Sequence, residues 1–139
     1  MKGLLLDASI AANWFLNEEV SPVAQRALEE MRAGVPVFVP TLWMLEIANV
    51  LFSAERRKRI DRKHHDAALE RIERLPLTIL AAPTFADLKA LRHYAEKHQL
   101  TAYDAEYLRL AKEQKLILAS LDGNLLAAAK REKVPIAGA

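Results

Sequence analysis

The stretch GLLLDASIAANWFL (3–16) decides how the rest of the chain is read. Leu4, Leu5 and Leu6 form an unbroken apolar run, so a strand built from them is apolar on both faces and belongs in a sheet covered on both sides. The run ends in Asp7, and the spacing then turns helical, with Ser9 in position to cap the new helix. A carboxylate at the edge of a core is penalised for its charge unless something compensates it. Asp7 therefore either closes the turn into the helix or holds a cation.

The same strand-then-helix rhythm repeats along the chain. SPVAQRALEEMRAG (21–34) offers Ser21 as a cap, Pro22 in the first helical position, and Gly34 as a stop. Its apolar face is Val23, Ala24, Ala27, Leu28 and Met31. VPVFVP (35–40), PLTILAA (76–82) and KLILAS (115–120) read as further strands, and VPIAG (134–138) as a short last one. Helices are expected from about Thr41 to Lys58, Asp61 to Arg74, Thr84 to Lys97, Thr101 to Gln114 and Asp122 to Lys133. Apolar strands alternating with one or two helices specify an α/β fold, in which helices cover both faces of a central parallel sheet of four to five strands. Ligands of such sheets bind at the carboxyl ends of the strands, where the strand order reverses. Asp7 and Asp122 both fall just past such ends.

Composition narrows the class further. A length of 139 residues suits one domain, 1–139, with a full core, and 52% hydrophobic with 27% charged residues is ordinary for a globular chain. Cysteine is absent, which excludes disulfides and thiolate metal sites and fits a reducing cytoplasm. There is no signal-peptide pattern, and no apolar run nears the ~20 residues of a membrane helix. A cytoplasmic protein with no membrane partner is expected. Net charge is only +2, yet ERRKRIDRKHH (55–65) packs six Arg or Lys into eleven residues. This segment reads either as the solvated end of one helix and start of the next, or as a phosphate-contacting patch beside an acidic site, carried by Arg56, Arg57 and Arg59.

Two further acids sit on helices in odd company. Glu46 is the only charged residue of VFVPTLWMLEIANVLFSA (37–54). With Asn49 and Ser53 it makes a thin polar stripe on a helix apolar nearly all round, which implies burial and a polar pocket or a partner at Glu46. In TAYDAEYLRLAKEQ (101–114), Glu106, Arg109 and Glu113 form the expected exposed stripe. Asp104 lies about 200° from Glu106 around the helix and so faces inward with Leu108 and Ala111, between walls supplied by Tyr103 and Tyr107. Each acid alone has an ordinary explanation: a turn at Asp7, a buried pair at Glu46, an N-terminal turn at Asp104, a helix cap at Asp122. One shared pocket explains all four.

Four clustered carboxylates repel unless a cation joins them. Oxygen-only ligands suit Mg²⁺, with Mn²⁺ as a substitute, and such a site fits phosphodiester hydrolysis by a metal-activated water. Ser9 and Ser120, each two residues from an acid, have hydroxyls able to orient the carboxylates or to make ordinary turn bonds.

LLLDAS with Asp7 and Ser9, LEIANVL with Glu46, LTAYDAEYLRLA with Asp104, and ILASLDGNLLAAA with Asp122 together resemble the PIN domain, in particular the VapC-like toxins of toxin–antitoxin pairs. The resemblance runs along essentially the whole chain. It implies a three-layer α/β/α PIN-like fold and a Mg²⁺- or Mn²⁺-dependent endoribonuclease. Asp7, Glu46, Asp104 and Asp122 would be the metal acids, with Ser9 in support. It also implies a homodimer, a cognate antitoxin seated in a groove near the site, and structured RNA such as tRNA or rRNA as substrate. Two positions depart from the pattern. Ser120 stands where Thr is frequent, keeping the hydroxyl, and Asn124 stands where some members carry a further acid, which puts a fifth ligand in doubt.

Two other classes compete. A Mg²⁺-binding phosphoacceptor domain also places Asp at strand ends, but this chain lacks a suitable Lys directly after a strand and carries acids on two helices. A non-catalytic RNA-binding module would use the basic 56–63 segment and leave the acid set idle. The four histidines (64, 65, 93 and 98) lack metal-ligand spacing and are expected at the surface. Trp14 and Phe15 are placed near an antitoxin groove or in the core, and Trp43 in the core or a dimer face.

Overall fold

The computed structural model describes residues 2–138. Its first strand, β1 (Leu4–Leu6), runs directly into α1 (Ala8–Leu16) and then α2 (Pro22–Arg32). The chain continues through β2 (Val37–Val39), α3 (Leu42–Arg56), α4 (Arg62–Glu73), β3 (Leu77–Ile79), α5 (Leu88–His98), α6 (Ala102–Glu113), β4 (Ile117–Ala119) and α7 (Gly123–Arg131). All strand pairs are parallel, in the order β3-β2-β1-β4. The chain thus winds outward from β1 through β2 to β3 and crosses back to lay β4 on the other side of β1. The reversal falls between β1 and β4.

Alternation along β1 sends Leu4 and Leu6 to one face and Leu5 to the other. Leu4 and Leu6 join a core with Ile10, Ala24, Trp43, Ile47, Leu51 and Ala68, from α1 to α4. Leu5 joins Tyr107, Leu108, Leu118, Leu125 and Ala128, from α6, β4 and α7. Helices therefore cover both faces, as the apolar strands require. Trp43 is fully buried in the first core rather than at a surface, and its indole N–H has no hydrogen-bond partner among the described residues.

Several expectations are corrected. The strands are three-residue ladders inside longer apolar runs, and 134–138 contributes only a single bridge, Leu118 to Ile136. The helix expected from Thr84 opens with a 3₁₀ turn, Phe85–Asp87, capped by reciprocal bonds between Thr84 and Asp87. α3 is not buried all round: Leu45 is 76% exposed, and Met44 and Phe52 also face outward. Only the row Trp43, Ile47, Leu51 and Ala54 meets the core.

α6 errs in the opposite sense. Glu106 and Arg109 are buried at 3% and 4% exposure, because this helix lies between the sheet and α5 and is covered on both sides. The Arg109 guanidinium donates to both Glu106 oxygens, at 2.7 and 2.9 Å, and to Glu113 at 2.8 Å. Asp87 approaches it at 3.4 Å. Of the histidines, His93 and His64 are exposed and His65 is half-buried, but His98 is buried, with Nε2 2.7 Å from Glu132. Arg131 donates to Nδ1 of His98, so Nε2 carries the proton and donates to Glu132.

Candidate functional site

Asp7 occupies the N-cap position of α1, in extended conformation, yet its carboxylate makes no capping bond. Its amide instead extends the β1–β4 ladder, donating to the Ala119 carbonyl at 2.9 Å. Its Oδ2 accepts two hydroxyls, from Ser120 at 2.7 Å and from Ser9 at 2.9 Å. Ser9 is therefore not the cap expected of it; it lies in the first turn of α1 and supports Asp7. Each serine oxygen also accepts a backbone N–H from the chain after β4, Ser9 from Leu121 at 2.9 Å and Ser120 from Asp122 at 3.0 Å. These bonds stitch the β1 and β4 ends together at the reversal of strand order, where an open α/β sheet leaves its crevice.

Glu46 reaches the same crevice from the first half of α3. Its Oε1 accepts a 2.6 Å hydrogen bond from the phenol of Tyr107, 61 residues further along. Tyr107 is fully buried. Helical spacing marks it only as a bulky wall, because a phenol at core spacing looks like any other aromatic. Asp104 enters from the first turn of α6, half-buried, and its amide is capped by Thr101. No protein group among the described residues hydrogen-bonds its carboxylate. Asp122 performs the ordinary duty the sequence allowed it: Oδ1 caps α7, accepting from the Asn124 and Leu125 amides at 2.9 and 3.1 Å.

Electrostatics tie the four together. Burial pushes the Asp7 carboxyl up from its ordinary value, against the lowering effect of the two serine hydroxyls, and the Asp122 charge pushes it further. Glu46 rises to about 7, chiefly through burial, which outweighs the lowering effect of the Tyr107 hydrogen bond, with smaller upward pushes from the charges of Asp7 and Asp104. Asp104 rises to about 6 through burial and then the charges of Asp122 and Asp7. None of the three shifts includes a contribution from lysine or arginine. The pocket is a concentration of negative charge whose four acids form no ion pair among the described residues. As they stand, no three of these side chains enclose a ready-made ion position among the described residues. Asp122 is held back on the α7 amides by its capping bonds. The donor set, all carboxylate oxygen with free oxygens on Asp7, Glu46 and Asp104, fits a hard divalent cation.

The basic segment lies elsewhere. Arg56 ends α3 ten residues after Glu46, about 15 Å along the helix axis. It is thus at the far end of α3 and not beside the acids. Arg62 forks onto Glu55 at 2.9 and 3.0 Å, and Arg56 covers the Phe52 ring at 4.5 Å. Arg57, Lys58 and Arg59 are exposed. Trp14 and Phe15 close the other end of α1, Phe15 buried and Trp14 half-buried with its N–H on the Ala24 carbonyl at 2.7 Å. They line a cavity of about 390 Å³ together with Arg32, Arg71 and Arg74.

Residues 4–131 match the family model of the PIN domain. No curated protein sequence matches the chain. Among solved structures, PAE2754 from Pyrobaculum aerophilum aligns with a TM-score of 0.66 at 23% identity, over 91% of this chain and 84% of its own. FitAcB from Neisseria gonorrhoeae aligns at 0.67 and 18%, over 97% and 96%. VapC20 of Mycobacterium tuberculosis, a sarcin–ricin loop cleaving toxin, aligns at 0.62 and 16%, over 91% and 95%. At these identities the likeness is one of fold.

Proposed function

This chain belongs to the PIN domain family, and on that premise we propose that it is a divalent-metal-dependent endoribonuclease, the toxin of a toxin–antitoxin pair, working as one PIN-like unit over residues 1–139 in the cytoplasm. One observation carries the reading. Acids from the end of β1, from α3 and α6, and from the end of β4 meet at the reversal of strand order, destabilise one another's charge, and form no ion pair with arginine or lysine among the described residues.

Asp7, Glu46 and Asp104 would hold Mg²⁺, or Mn²⁺ in its place, with Asp122 adding charge from its capping position. Such a cation, when bound, acidifies a water for in-line attack on a phosphodiester and neutralises charge on the leaving oxygen. Ser9 and Ser120 keep Asp7 in one orientation, so the carboxylate need not be ordered when substrate arrives. The bare acids repel RNA phosphate, a repulsion that a bound cation would offset. VapC20 cuts an RNA loop, which supports RNA as the substrate here, tRNA or rRNA by class. An antitoxin and a second copy of the chain complete the assembly. The exposed Leu45, Met44 and Phe52 on α3 supply an apolar face for self-association.

Cleavage of a mixed tRNA and rRNA pool by purified protein tests the reading. Cutting should need Mg²⁺ or Mn²⁺, stop in EDTA, and fall at least a hundredfold in Asp7→Asn and in Asp104→Asn, the order expected when a metal ligand is lost. Cutting retained by both variants would overturn it.

A further inference from the structure

The acids are tethered asymmetrically. Both serine hydroxyls on Asp7 go to Oδ2. The phenol on Glu46 goes to Oε1. The other oxygen of Glu46 receives no protein hydrogen bond among the described residues, and beyond the two hydroxyls the Asp7 carboxylate has only the Ala8 amide beside it. Two hydroxyls fill both lone-pair sites of Asp7 Oδ2 and the phenol fills one of the two on Glu46 Oε1, so each carboxylate offers a cation chiefly its other oxygen. That distinction separates hard cations by size. Mg²⁺ requires near-octahedral single-oxygen ligands and keeps several waters, whereas Ca²⁺ takes 6–8 oxygens and readily claims both oxygens of one carboxylate.

Tyr107 is suited to enforce the restriction. Its ring is fully buried in the core formed with Leu5, Leu108 and Leu125, so the hydroxyl cannot swing aside to release Oε1. Its 2.6 Å bond is among the shortest side-chain hydrogen bonds of the molecule. Resting on the metal reading above, we propose that Tyr107 is a positioning residue which, with Ser9 and Ser120 on Asp7, leaves Glu46 and Asp7 one cation-facing oxygen each and so biases the pocket toward small octahedral cations and against Ca²⁺.

The test is calorimetric titration of the full chain with MgCl₂ and with CaCl₂, for wild type, Tyr107→Phe and Ser120→Ala, alongside thermal melts. Tyr107→Phe keeps the ring and frees Oε1. Its Mg²⁺ affinity should fall about tenfold, the lower end of what losing an outer partner of a metal ligand costs. Its Ca²⁺ affinity should hold or rise, so the preference between the ions shifts. A merely structural role would weaken both ions in proportion, and that result overturns the proposal while leaving the metal reading intact. If Tyr107→Phe does not fold, Ser120→Ala makes the same comparison at Asp7 with the same two outcomes. Wild-type protein that binds neither ion would overturn both the proposal and the metal reading beneath it.

Discussion

Asp7, Glu46 and Asp104 each keep a proton to higher pH in the folded chain than in the unfolded one, because burial and mutual repulsion disfavour their charge. Between the ordinary carboxyl range and about pH 7 the folded state therefore binds more protons, and stability falls as pH rises through that window. Mg²⁺ binds only the deprotonated acids, so it should act most where the bare protein is weakest. Thermal melts should show a melting temperature a few degrees lower at about pH 8 than at about pH 5 from these groups, with Mg²⁺ recovering the loss at pH 8 and doing little at pH 5. A bare protein whose stability is flat across that range would contradict the coupling. At this scale the sequence was informative where a residue clashed with its surroundings. Asp7 after three leucines and Glu46 alone in an apolar helix are conspicuous, and both lie in the pocket. Tyr107 clashes with nothing, so only the tertiary contact with Glu46, 61 residues away, reveals it.

Helix existence and order were legible from capping residues and periodicity, as Ser21, Asp61 and Thr101 show by capping α2, α4 and α6. Which face each helix buries was not. α3, apolar on most sides, presents Leu45 and Phe52 to the outside, and α6 hides Glu106 and Arg109 of its charged stripe while Glu113 stays exposed. Periodicity reports one apolar side, but α6 is covered on two, and its charges persist inside because Arg109 finds Glu106, Glu113 and Asp87. Breaking such a pair strands a buried charge. Arg109→Ala should cost about 3–5 kcal/mol in urea unfolding, while the double change Glu106→Leu with Arg109→Met should cost markedly less, since it removes both charges and fills the space. Equal losses in the two variants would mean that packing, not charge, governs this helix.

For the molecule as a whole, the parallel sheet and its helical cover were legible because continuous apolar strands admit no other arrangement. Strand length was not, since the apolar runs extend beyond the hydrogen-bonded ladder. Of the two readings of the basic segment, the structure bears out the solvated end of one helix and start of the next, because α3 carries it to the end opposite Glu46. The open face of α3 bears on assembly. If a second copy covers it, light scattering should give a dimeric mass for the wild type and a monomeric one for Leu45→Glu, with unchanged far-ultraviolet circular dichroism. A monomeric wild type would remove self-association from the proposal. The bond between Ser120 and Asp7 joins residues 113 positions apart. On the ribosome, Ser120 is added 113 residues after Asp7, so the crevice does not exist while the intervening chain is being made. Whatever activity the pocket has is therefore withheld by translation itself until β4 has emerged and docked beside β1.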